Sequence, residues 1–131
     1  MRDKRRLISS KCGQSAVEFA LILPVLLMTV FGILDLGRAV YSQMVMSNAV
    51  REGCRVAVVQ SNSNATVIQA VRTKAAGVAL QAGNITISGP RTPGTTVTVA
   101  ASFTYLPVTP LISNIVGNSI LLQARSSMVV D

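Results

Sequence analysis

Between Phe19 and Leu34 the chain reads Phe-Ala-Leu-Ile-Leu-Pro-Val-Leu-Leu-Met-Thr-Val-Phe-Gly-Ile-Leu, with no charged residue. Adding Ala16, Val17 and Glu18 gives nineteen positions with a single acid, close to the roughly 20 residues a helix needs to cross a bilayer core. Residues 35–59 contain no proline. They place Met46, Ala49, Val50, Gly53 and Ala57 three and four apart, which makes one stripe on a helix. The pattern predicts a single helix from Gln14 to Val59, ~69 Å long at 1.5 Å per residue. Pro24 lacks a backbone donor and is expected to kink it.

Gln60 to Ala65 is a polar connector. A second helix is predicted over 66–82, with Val67, Ile68, Val71, Ala75, Val78 and Ala79 on its apolar face and Gly83 as its stop. The periodicity then changes to two. Asn84–Ser88 alternates, residues 89–94 form a Gly- and Pro-containing turn, and Val97, Val99, Ala101, Phe103 and Tyr105 share one face of a longer strand. Leu106 to Val116, with Pro107 and Pro110, reads as a crossing loop or short helix, and residues 119–130 as a third strand. About 70 residues make a marginal core alone. The stripe on the long helix is therefore expected to lie across a three-stranded antiparallel sheet, giving an α+β fold.

Composition agrees with a membrane segment. Half of the 131 residues are hydrophobic and 13% are charged, with a mean hydropathy of +0.51. The net charge of +7 is concentrated at the start. Arg2, Lys4, Arg5, Arg6 and Lys11 all precede the apolar run, whereas from Gln14 onward seven basic residues face four acids and leave +3. No basic face interleaved with aromatics remains, so nucleic acid is not expected as a partner. The flanking charge keeps the N-terminus cytoplasmic and places residues 35 onward outside.

Neither a metal nor a cofactor is expected: the chain lacks histidine, and its two cysteines, Cys12 and Cys54, lie on opposite sides of the apolar run. Cys54 reads as a small packed hydrophobe. Beyond the run the acids are Asp35, Glu52 and Asp131, and neither a nucleophile motif nor a phosphate loop is present. Enzymatic function is not expected.

Candidate chemistry sits in Lys11-Cys12-Gly13-Gln14-Ser15-Ala16-Val17-Glu18-Phe19. A glycine closes the basic leader, and five positions later a carboxylate stands at the mouth of the apolar run, where it needs a partner. Cleavage after Gly13 would create an α-amine on Gln14, cationic below a pKa of about 7.7–8.0. Glu18 of one subunit would pair with that amine on a neighbour and set the axial register between packed helices. The plainer alternatives are a helix-start acid favoured by the helix dipole and a loop glycine before a signal anchor. Asp35 and Arg38, three apart, read as a surface pair at headgroup level or as a subunit contact. Glu52 and Arg55 can pair at three residues while Arg51 and Arg55 repel at four, so this group is a solvated face or a contact for an external carboxylate. Gly53 between them would permit close helix–sheet packing.

These residues resemble a known family. Gly13 followed by Glu18-Phe19 looks like the prepilin-peptidase site of type IV pilins, with the aromatic after the glutamate favouring the tight-adherence (Flp) branch. Phe31 to Arg38, Asn48 to Arg55, and Leu122 to Val129 resemble TadE-like minor pilins, in which a small residue such as alanine often stands at the position of Cys54. The chain departs from the Phe-Thr-Leu-Ile-Glu start of other type IV pilins and secretion pseudopilins.

The resemblance implies a type IV pilin-like fold in four parts: a cleaved basic cytoplasmic leader (1–13), a transmembrane half of the long helix (14–37), its exported half (38–59) and a small head (60–131). It implies cleavage by a prepilin peptidase and an accessory role in assembling a thin pilus for adhesion or secretion. The expected partners are other pilin subunits, the inner-membrane assembly machinery and lipid, and the expected location is the bacterial inner membrane or the pilus itself. An uncleaved single-span protein whose head binds an envelope partner is the alternative. A secreted protein cut after the run is a third reading, disfavoured because Asp35 and Arg38 crowd that site.

Overall fold

The computed structural model describes residues 10–131; residues 1–9 of the expected leader lie outside the described residues. Helix α1 covers Ser10–Val58 in 49 residues, with Pro24 inside it, and at 1.5 Å per residue it is about 74 Å long. It begins four residues before the predicted start. Its N-terminal half touches almost nothing: only 6% of its most apolar window is buried, and Phe19, Leu21, Ile22 and Val25 all stand exposed. A soluble core helix of this composition would be covered. The length, hydropathy and exposure are compatible with a single-pass membrane protein.

The second half of α1 carries the predicted stripe, and Met46, Ala49, Val50, Cys54 and Ala57 have no exposed surface. They pack with Val67 and Val71 of α2 (Asn64–Lys74) and with Val97, Val99 and Ala101 of the sheet. That sheet is an antiparallel meander of β1 (Ile85–Ser88), β2 (Thr96–Tyr105) and β3 (Ile120–Val129), with β2 in the centre. Val97 pairs with Met128, Ala101 with Ala124 and Phe103 with Leu122. The alternation read for β2 therefore turns Val97, Val99 and Ala101 toward α1, together with Leu122, Ala124 and Met128 of β3, while Leu121 and Val129 stand exposed on the other face. A seven-residue helix, α3 (Pro110–Val116), interrupts the β2–β3 connection.

The second helix departs from expectation at both ends. It starts two residues early because Ser63 caps it, its side chain accepting from the Thr66 amide at 3.2 Å. It ends at Lys74, eight residues short of its predicted last residue at 82. Gly77 adopts φ +89°, a conformation that breaks the helical register. Beyond it Val78 and Leu80 are buried and Ala79 is exposed, so the apolar face continues with an extended chain's period of two. Gly83, the expected stop, lies in a short turn of 3₁₀ helix, Ala82–Asn84, that leads into β1.

Candidate functional site

The candidate residues form three groups spaced along α1. The first is Gly13–Phe19. All of these positions are exposed, and a side-chain atom added to Gly13 would meet nothing within 4 Å. Within the chain, Gln14 donates from Nε2 to Glu18 Oε1 at 3.2 Å, one turn away. The Glu18 carboxylate is thus held near Gln14 by its own helix and remains accessible to a second chain.

The second group overturns the surface-pair expectation for Asp35. This residue is only 3% exposed. Its Oδ2 accepts from the Val108 amide (2.9 Å), the Thr109 amide (2.7 Å) and the Thr109 hydroxyl (2.7 Å), and its Oδ1 accepts from the Tyr105 hydroxyl at 3.1 Å. The Tyr105 hydroxyl is shared with the Asp35 carbonyl, also at 3.1 Å. Arg38 stands at the rim, 4.0 Å from Oδ1, with its side chain 66% exposed. Asp35 therefore ties the end of the apolar run to the β2–β3 connection, and the ion pair with Arg38 is peripheral. The elements responsible are the turn of α1 that presents Asp35 inward, the end of β2 that presents Tyr105, and the bend at Val108-Thr109 ahead of Pro110, the first residue of α3.

Burial, and then the hydrogen bond to Asp35, push the Tyr105 phenol above its ordinary value of 10.0. Both favour the neutral phenol, so the folded chain binds that proton more tightly than the unfolded one. The associated stability is complete below pH 10 and is lost as pH rises through the raised pKa. Tyr105→Phe is expected to cost about 1.5–3 kcal/mol at neutral pH, the range for a hydrogen bond to a charged group. It should also flatten the fall in stability above pH 10. Urea midpoints of the detergent-solubilised protein at neutral and alkaline pH measure both effects.

The third group is Arg51, Glu52 and Arg55. Arg55 Nη2 lies 2.9 Å from Glu52 Oε1, and Arg51 and Arg55 are exposed. Between them Gly53 and Cys54 face inward. A Cβ on Gly53 would stand 2.2 Å from Val71 Cγ2 and 3.6 Å from Val99 Cγ1. The close approach is thus chiefly between α1 and α2, with the sheet second. The Cys54 thiol is buried and free, 3.6 Å from the carbonyls of Val97 and Ser126; the side chain of Cys12 lies outside the described residues.

Asp35 is 17 residues, about 26 Å of helix, from both Glu18 and Glu52. The groups do not converge on one pocket. They mark out one rod, and a family model described as TadE-like protein matches residues 13–55, from the candidate cleavage glycine through Arg55. That stretch is similar to the TadE-like family. It lies wholly on α1 and contains the sequence-predicted residues of all three groups. The closing-strand resemblance, Leu122 to Val129, falls outside it. No curated protein and no solved structure matches the chain significantly.

Sequence reasoning misses the role of Asp35 as a buried acceptor because an acid beside an apolar run looks solvated. One indication was available: Asp35 lies 11 and 18 residues before Met46 and Gly53, close to whole numbers of turns, and so shares their helix face.

Proposed function

We propose that this chain is an accessory pilin-like subunit, a minor pilin or pseudopilin of a Tad-type pilus, processed after Gly13 and held in the inner membrane by α1 with its head outside. The observation that carries the reading is the placement of Glu18: a carboxylate on the exposed face of an uncovered apolar helix, five residues after Gly13, within the TadE-like segment. A monomer gives Glu18 a neutral amide as its partner. A neighbour's α-amine on Gln14 would supply the opposite charge, and in a low-dielectric setting that pair defines axial stagger while apolar side chains supply contact area. The partners of this reading are a prepilin peptidase, other pilin subunits and the membrane-embedded assembly machinery.

The test is the mature N-terminus. In cells with active peptidase, mass spectrometry of the membrane-extracted protein should find Gln14 first. Replacing Gly13 with leucine should retain the full-length form. An intact Met1 start in the unmodified protein would favour the uncleaved single-span alternative. Glu18→Ala should leave processing intact and abolish incorporation into, or support of, the appendage. Undiminished assembly would remove the register mechanism.

A further inference from the structure

We propose that the β2–β3 connection, residues 106–119, is a second membrane contact that rests in the headgroup and upper acyl region of the bilayer crossed by α1. The inference rests on α1 being a membrane span and goes beyond it by placing part of the head in lipid.

Val108 and Ile115 are 71% and 75% exposed, matching Leu21 in the span at 72%. Leu106 is exposed too. These residues belong to the longest uncharged stretch of the exported part: no charged residue occurs between Arg91 and Arg125. Their level along α1 is set by Asp35, which holds the Val108 and Thr109 amides at the first position beyond the apolar run. Phe31 and Leu34 from the last turn of that run share an apolar groove of about 400 Å³ with Val108, Thr109 and Pro110. The exposed apolar surface is thus continuous from the span onto the connection. Arg38, one turn farther on and exposed, and Tyr41 beyond it, stand where cationic and aromatic side chains favour the membrane interface.

Backbone chemistry supports lipid as the occupant. An irregular loop enters a weakly polar layer only if its amides are satisfied. From Pro107 to Pro110 the two prolines have no N–H, and the two amides between them both donate to Asp35 Oδ2. This segment therefore offers no unmet backbone donor.

The chain has no tryptophan, so one introduced residue is a unique probe. Full-length Val108→Trp, Ile115→Trp, Leu26→Trp and Val59→Trp would each be reconstituted in phosphatidylcholine–phosphatidylglycerol vesicles with and without brominated acyl chains. Circular dichroism would check that the exposed substitutions fold. Leu26 reports the span, and Val59 stands just past the end of α1, whose last residue, Val58, is about 35 Å up the helix from Asp35. Quenching of Val108→Trp and Ile115→Trp severalfold stronger than that of Val59→Trp is expected. Quenching of Leu26→Trp alone overturns the proposal while leaving the span intact. A blue-shifted but unquenched Val108→Trp also overturns it and points to a second copy of the chain as the occupant. An unquenched Leu26→Trp defeats the span reading and the proposal with it.

Discussion

Asp35→Ala is expected to lower the thermal midpoint of the detergent-solubilised protein by on the order of 10 °C, the largest loss among substitutions of its charged residues. Alanine leaves the Val108 and Thr109 amides and the Thr109 hydroxyl, all now donating to one oxygen, without an acceptor in a site closed to water. An orphaned buried donor costs its full desolvation. Asparagine separates the two contributions. Its amide oxygen can take the place of Oδ2 and keep those three bonds, while its NH₂ faces the Tyr105 hydroxyl, which can accept. Asp35→Asn should therefore retain most of the stability. If asparagine is as damaging as alanine, negative charge rather than acceptor geometry holds the connection. If alanine is as mild as asparagine, the cluster contributes nothing.

A comparable loss is expected from a single added methyl. Gly53→Ala would gain up to about 1 kcal/mol if helix propensity decided. The new Cβ, however, would stand 2.2 Å from Val71 Cγ2, and both residues are fully packed. Overpacking of this kind costs typically about 1–3 kcal/mol and more where nothing can yield, so the net effect is destabilising. Gly37→Ala in the same helix provides the contrast: nothing lies within 4 Å of its added atom, and propensity alone should act. Because the clash is with one methyl, Val71→Ala relieves it. The double variant should be no less stable than Val71→Ala by itself, a non-additivity readable from urea midpoints. A neutral Gly53→Ala in the parent background would mean that α1 and α2 are not in tight contact.

Both predictions concern positions whose type the sequence suggested but whose partners it did not. Gly53 lies between charged residues, and its lack of a side chain suggests close packing. The closest surface is Val71 of α2, with Val99 of the sheet second. Spacing alone groups Asp35 with Arg38. The covered face runs lower on α1 than hydrophobic periodicity indicates, from the buried Met46 through the part-buried Gln43 and Ser42 to the buried Asp35, because polar residues there are held by hydrogen bonds. Gln43 is satisfied on one side: its Nε2 donates to the Gln123 carbonyl at 2.8 Å, while its Oε1 is buried without a partner among the described residues.

The chain's own order of residues determined the membrane-length helix, the stripe from Met46 to Ala57, the β1–β2 hairpin and the alternating face of β2. Each is a repeat of 2 or 3.6 residues and needs only neighbours in the chain to be legible. It also determined the Gly13–Phe19 segment, a local pattern on an uncovered helix. Tertiary structure alone decided that Asp35 is an internal acceptor, that Gly53 abuts Val71, and that residues 78–80 pack as extended chain. These outcomes depend on groups as many as 74 positions apart, or on a glycine that leaves the helical region, and no local period encodes which distant donor will meet a given carboxylate.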